Sequence, residues 1–224
     1  MKPERTQKIK WSPEIAYVVG LITTDGCLYN DRRHIEFTSK DIQLLRTFKK
    51  CLGLKSKIGF KSSGFTQKKV PRTQFCDVVF HKWLTKIGLT PHKSKRISGI
   101  RIPNKYFFDF VRGCFDGDGS CYSYWDQRWK NSFMFYISFY SGSLNFINWL
   151  RNKLRILLGI KGHIRWGSRC WKLSYAKKES KILSSRMYYK ENLPCLIRKY
   201  KKLKRILEIE KNSGRVVELV DTTV

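Results

Sequence analysis

Two aspartates, Asp25 and Asp118, occupy the same setting in this chain. Residues 17–26 read YVVGLITTDG and residues 110–119 read FVRGCFDGDG. In each copy a hydrophobic run carries a glycine, Gly20 or Gly113, and an Asp-Gly pair begins five residues later. The runs read as helices, which places both acids at helix C-termini, where a carboxylate is disfavoured by about 0.3–1 kcal/mol and calls for a cation. Mg²⁺ fits that need, since it takes one or two carboxylates and completes its shell with phosphates and water; Mn²⁺ is the expected substitute. Two such acids related by a pseudo-dyad suit a polymer with two antiparallel phosphodiester strands. A metal held there polarises the phosphoryl group, activates water and stabilises the leaving oxygen. Glycine inside a helix costs about 1 kcal/mol relative to alanine. Gly20 and Gly113 are therefore expected where two helix backbones touch. Asp116 has Thr23 as its counterpart, so symmetry assigns it packing or a solvent-facing role rather than core chemistry.

These residues need elements to place them, and the elements also recur. Ser12-Pro13-Glu14 reads as a helix start with Ser as N-cap and Pro in the first turn; Pro103-Asn104 opens the second copy. Strands are expected at 27–29 and 34–39, joined by a turn at Asn30-Asp31, and at 120–125 and 133–140. Helices are expected from Asp41 and from Ser143, ending at Leu52-Gly53-Leu54-Lys55 and Leu158-Gly159-Ile160-Lys161. Further strands are expected at 57–61 with 73–80 and at 162–166 with 170–175, then helices at 81–87 and 176–187. The copies are offset by 93 residues at the Asp pair and by 106 at the Leu-Gly pair, so the second carries 13 extra residues around YWDQRWKNS. The order αββαββα, twice, predicts an α+β duplication with halves at 1–100 and 101–211. Residues 197–211 read as a basic helix, and 212–224 as a tail of unassigned structure.

Composition narrows the partner. The 224 residues hold 46 Lys+Arg against 17 Asp+Glu, a net charge of +29, which favours a polyanion. A hydrophobic fraction of 42% supports a real core, and seven Trp argue against a histone-like or ribosomal basic protein. No run approaches the ~18–20 apolar residues of a membrane span, and MKPERTQKIKW lacks the apolar stretch of a secretory signal. A cytoplasmic or organellar, reducing location is expected. Seven cysteines without a C-x-x-C pair read as reduced, buried thiols. The four scattered histidines disfavour a His-based nuclease or a zinc hydrolase.

VVGLITTDG (18–26) and VRGCFDGDG (111–119), with GLTPHKSKRI between them and RIPNKYFFDF before the second, resemble the single-chain, two-motif LAGLIDADG homing endonucleases over residues 12–205. The resemblance implies two saddle-shaped antiparallel sheets on DNA with the motif helices packed at the centre. It also implies an intron-encoded, Mg²⁺-dependent, site-specific enzyme acting as a monomer on double-stranded DNA. A basic residue late in each half would assist the chemistry. Lys93, 68 residues after Asp25, and Lys190, 72 after Asp118, are the candidates. Lys40 is another, although Gly142 stands at its aligned position.

Recognition falls to the sheets, since a two-stranded ribbon fits the major groove and Arg, Lys and Gln read base edges there or neutralise phosphates. The expected DNA-binding residues are Arg32, Arg33, Lys57, Lys61, Lys68, Lys69, Arg72 and Gln74, then Gln127, Arg128, Lys130, Arg165, Arg169 and Lys172. The two sets differ, so the target should be asymmetric. The alternatives are an intron maturase, which binds the host intron RNA on the same fold, and a DNA-binding regulator that has lost an acid. Retention of both acids favours the nuclease.

Overall fold

Ser12 begins the first motif helix: its hydroxyl accepts from the Ile15 amide at 3.2 Å, Pro13 fills the first turn, and helix α1 runs over Pro13–Asp25. Every residue from Ala16 to Thr23 is buried, so this helix is apolar on all sides, as a central element must be. The computed structural model describes residues 9–62, 69–129 and 132–221.

After α1 come β1 (Gly26–Leu28), β2 (His34–Thr38), α2 (Ile42–Leu52), β3 (Gly59–Ser62), β4 (Lys69–Cys76) and α3 (Val78–Ile87). The second half repeats the order with α4 (Phe107–Gly117), β5 (Ser120–Trp125), β6 (Phe133–Ser141), α5 (Leu144–Leu158), β7 (His163–Gly167), β8 (Cys170–Ala176) and α6 (Lys177–Met187). Each half forms an antiparallel four-stranded sheet with the same topology, β1-β2-β4-β3 and β5-β6-β8-β7. The repeated Leu-Gly signature has a backbone cause. Gly53 and Gly159 close α2 and α5 in the left-handed region, φ 65° and 70°, where glycine carries no Cβ penalty.

Ile35, Phe37 and Thr73 on one sheet, and Phe135, Ile137, Phe139 and Leu173 on the other, point inward onto the helices. Phe37 stacks on Phe48 of α2 with centroids 4.6 Å apart. The alternate residues of each strand form an outer face.

Three boundaries differ from expectation. The strand placed at 73–80 lies at 69–76, because Asp77 caps α3 by accepting from the Phe80 amide at 2.8 Å, which makes Val78-Val79 helical. A single 3₁₀ turn, Asn104–Tyr106, precedes α4. Helix α7 (Ile197–Asp221) continues past 211 through most of the stretch read as a tail. Its start crosses to the first half, where Arg198 grips Asp41 (2.8 and 2.9 Å) and the Ile197 amide donates to Gln43 Oε1 at 3.0 Å. All seven cysteines are free; Cys114 and Cys121 are buried, whereas Cys27 and Cys76 are exposed, against the expectation of uniformly buried thiols. Among the described residues no helix is long and apolar enough to cross a membrane.

Candidate functional site

Helices α1 and α4 cross at their glycines. A Cβ on Gly20 would lie 2.2 Å from the Phe110 carbonyl oxygen and 2.8 Å from Gly113 Cα; one on Gly113 would lie 2.2 Å from the Tyr17 carbonyl oxygen. The obstacles are backbone atoms, so a side chain at either position would force the helices apart.

The contact persists to the helix ends. A Cβ on Gly117 would meet Thr24 Oγ1 at 2.0 Å and Asp25 Oδ2 at 3.1 Å. Asp25, the last residue of α1, therefore lies against the residue preceding Asp118, the cap of α4. Burial pushes the Asp25 carboxyl up to about 7, with the charge of Asp118 adding to the push and Lys199 and Lys93 opposing it. Asp118 opens to solvent on one side, yet desolvation by the crowded helix ends raises it too, again against Lys199 and Lys93. Two carboxylates that resist ionising side by side have the oxygen chemistry of ligands for a hard cation.

Two lysines flank the pair. Lys93 is buried in a 3₁₀ turn after α3 and donates to the carbonyl of Gly26. Lys199, near the start of α7, donates to the carbonyls of Phe115, Asp116 and Gly117 (2.8 Å each) and Gly119 (2.6 Å). Gly26 and Gly119 follow the paired acids, so these lysines are equivalent across the pseudo-dyad. Burial lowers both ammonium groups, while Asp25 and Asp118 favour their charged forms.

The sequence candidates divide accordingly. Asp25, Asp118 and Lys93 come together. Lys190 does not join them: it is exposed, its ammonium 5.9 Å from the Tyr189 ring centroid, and Lys199 stands in the place expected of it. Lys199 lies 106 residues after Lys93, the same offset that separates the Leu-Gly pairs, so that count would have found it. Lys40 is exposed in the connection between β2 and α2. Asp116 is buried, not solvent-facing; its Oδ2 accepts from Tyr17 Oη and the Leu196 amide, both at 2.7 Å.

On the outer face of the first sheet, Lys61 and Arg72 converge on Glu36. Arg72 donates at 2.6 Å, and Tyr29 (3.1 Å) and Thr38 (3.2 Å) complete its shell. Sequence reasoning missed Glu36, although an acid alternating with Ile35 and Phe37 marks an outward position. Gln74 sits beside Glu36 in the β2–β4 register. Lys57 and Lys69 are exposed near the outer strands, and Arg32 and Arg33 sit in the β1–β2 turn, where Arg33 approaches Asp31 at 3.5 Å. In the second half, Lys172 and the exposed Arg165 share the outer face, and Arg169 occupies the β7–β8 turn with φ 60°. Gln127 is exposed in the β5–β6 hairpin, whereas Arg128 is occupied by Asp126 at 3.0 Å. Lys68 and Lys130 lie outside the described residues.

Comparison with known proteins agrees with this geometry. Residues 12–78 match the family model described as a LAGLIDADG-like domain. No curated protein sequence matches the chain. Among solved structures, the homing endonuclease I-WcaI bound to its DNA recognition sequence superposes with a TM-score of 0.62 at 14% identity, over 89% of each chain. I-LtrWI, a LAGLIDADG homing endonuclease bound to target DNA, gives 0.58 at 12% identity, over 89% of this chain and 91% of that one. Full-length DUF199/WhiA from Thermatoga maritima gives 0.58 at 16% identity, over 96% of this chain and 68% of that one. Residues 12–78 therefore form a LAGLIDADG-like domain, and the chain as a whole shares the two-sheet fold of these structures.

Proposed function

We propose that the chain is a site-specific DNA endonuclease, intron-encoded and monomeric, that hydrolyses both strands of a long asymmetric duplex site to leave a staggered cut. The observation that carries this reading is the pair Asp25 and Asp118, held together at the helix ends from which β1 and β5 begin. A protein that only bound nucleic acid would gain nothing from two adjacent carboxylates that burial and mutual repulsion disfavour.

The donor set fits Mg²⁺, with Mn²⁺ as substitute. Among the described residues no cluster of three or more His, Cys, Asp or Glu stands together, so two carboxylate ligands would leave positions for phosphate oxygens and water. When bound, the ion supplies charge stabilisation at the phosphoryl group and an activated water. The chain's own part is positional. The Gly20–Gly113 contact fixes the spacing of the acids, Lys93 and Lys199 favour their ionised forms, and the outer sheet faces hold the duplex in register.

Incubation with the intron-less form of the insertion locus and Mg²⁺ should give defined double-strand cuts. Asp25→Asn or Asp118→Asn should abolish cutting while binding in Ca²⁺ persists. Cutting of both strands at the wild-type rate by Asp118→Asn would remove that acid from the site. Absence of cutting, together with stimulated splicing of the host intron RNA, would assign the chain as a maturase instead.

A further inference from the structure

The two sheets offer chemically different outer faces. The first presents the ionic cluster of Lys61 and Arg72 around Glu36. On the second, strand alternation places Tyr122, Tyr124, Tyr136 and Tyr140 on one side of β5 and β6, with Lys172 from β8 beside them. These residues line a trough of about 770 Å³. Its rim carries Arg165 and the Lys161 end of the β7 connection, which suits a polyanion.

The tyrosines form a row. Tyr136 stacks on Tyr122 (centroids 5.0 Å apart, planes at 12°) and on Tyr124 (6.3 Å, 8°), and the Lys172 ammonium lies 4.9 Å from the Tyr122 ring centroid. Tyr136 thus packs against both other rings, and Tyr122 against a ring and a cation. Unpaired bases stack on aromatic rings, whereas these rings already stack on one another. What the row offers a ligand is its edges and its hydroxyls, each both a donor and an acceptor, those of Tyr136 and Tyr124 being bonded to each other as well. Tyr122 and Tyr124 remain 37% and 44% exposed, enough to meet a ligand.

We propose that the second half of the protein reads its half-site through this tyrosine row, its hydroxyls contacting base edges in the major groove of a duplex, while the first half relies on the Lys61 and Arg72 cations. The proposal rests on the endonuclease reading and specifies how one half recognises its DNA. The row also has a position. Strand β5 begins two residues after Asp118, so at ~3.3 Å per residue Tyr122 and Tyr124 lie roughly 13–20 Å along the strand from the acid. With ~3.4 Å between nucleotides, they face bases about four to six pairs from the cut.

The test is selection of bound duplexes from a randomised library by the full chain, with a triple variant, Tyr122→Phe, Tyr124→Phe and Tyr136→Phe, which keeps every ring, and with the single variant Tyr124→Phe at the exposed end of the row as a milder case. The wild type should enrich one asymmetric site. The triple variant should relax base preference four to six pairs from the cut on the second half-site by about tenfold, Tyr124→Phe alone should relax it about six pairs out, and both should leave the first half-site as selective as before. Lys61→Met with Arg72→Met should instead flatten the salt dependence of binding by a slope of about 2. Unchanged selectivity in both tyrosine variants would overturn the assignment of the row alone. A wild type that enriches no duplex would overturn the endonuclease reading, and the proposal with it.

Discussion

Lys93 and Lys199 cap equivalent helix ends with unequal commitment. Lys93 Nζ donates to the carbonyl of Gly26, whereas Lys199 Nζ reaches four carbonyls of the α4 terminus, from Phe115 to Gly119. An ammonium has three donors, so Lys199 is saturated by the helix end, where a cation is favoured by the dipole. Lys93 retains donors for a phosphate. Lys93→Met should therefore slow cleavage, by about 10²-fold if it stabilises developing charge, and should do so on one strand first. Lys199→Met should mainly destabilise: losing a charge-assisted cap worth about 2 kcal/mol corresponds to a Tm drop of about 4–8 °C in a chain of this size. A supercoiled plasmid bearing the site separates the effects, because Lys93→Met should accumulate nicked circles. Equal slowing of both strands in both variants would show that the lysines do not act as separate halves of the site.

The acid pair should make stability depend on pH and, on the proposed function, on Mg²⁺. Asp25 is pushed up to about 7 from an ordinary value of 3.8, first by burial and then by Asp118. The folded state thus holds this proton more tightly than the unfolded state. The resulting stabilisation is complete below about pH 4 and is lost as pH rises through about 7. Glu36 and Asp41 are lowered, Glu36 by the Lys61 and Arg72 hydrogen bonds against its own burial and Asp41 by Arg198. Their stabilisation is present above the ordinary carboxylate range and is lost as pH falls through their lowered folded values. Comparison of the wild type with Asp25→Asn isolates the first effect. Without divalent metal, Asp25→Asn should melt higher than wild type at pH 8 by several degrees, the gap should narrow as pH falls below about 7, and the two should converge below about pH 4. Mg²⁺ should raise the wild-type Tm more at pH 8 than at pH 6, since protons compete with the ion, and should leave Asp25→Asn nearly unmoved. Calorimetry across that range checks both. A wild type that melts as high as the variant at pH 8 without metal would remove Asp25 as the titrating group.

Much of this organisation was legible because it rests on local rules that appear twice. Gly20 and Gly113 stand out through their shared offset from Asp-Gly, and Leu52-Gly53 and Leu158-Gly159 through the left-handed caps they form. The second lysine was harder to find because the offset between halves is not constant. It is 99 residues at the starts of α3 and α6, but Lys93 follows the end of α3 by 6 residues and Lys199 follows the end of α6 by 12. Reading across that longer connection at a fixed spacing leads to Lys190. The tyrosine row was encoded in the even positions of 120–124 and 134–140, yet a search for basic side chains passes over it. The extent of α7 was hidden for another reason, since SGRVVELVD has no counterpart in the first half to compare with.

Asp116 tests whether the site holds two acids or three. Its Oδ2 accepts from Tyr17 Oη and the Leu196 amide, tying α1 and the α7 approach to α4, while its Oδ1 has no hydrogen-bond partner among the described residues. Burial pushes the carboxyl up to about 6 despite both hydrogen bonds. Its counterpart Thr23 turns inward to its own helix, donating to the Val19 carbonyl at 2.7 Å. The carboxylate thus belongs to the seam that joins the helices rather than to the outer face of either sheet. An asparagine can keep its oxygen toward both donors, so Asp116→Asn should retain cleavage and shift stability by about 1 kcal/mol or less. Tyr17→Phe, which strips a donor from a buried carboxylate, should cost about 1–3 kcal/mol. Combining the two should give less than the sum, because they act on one hydrogen bond. Chemical denaturation supplies the cycle, and the plasmid assay supplies the decisive arm: loss of cutting by Asp116→Asn as complete as that expected for Asp118→Asn would place a third carboxylate in the chemistry.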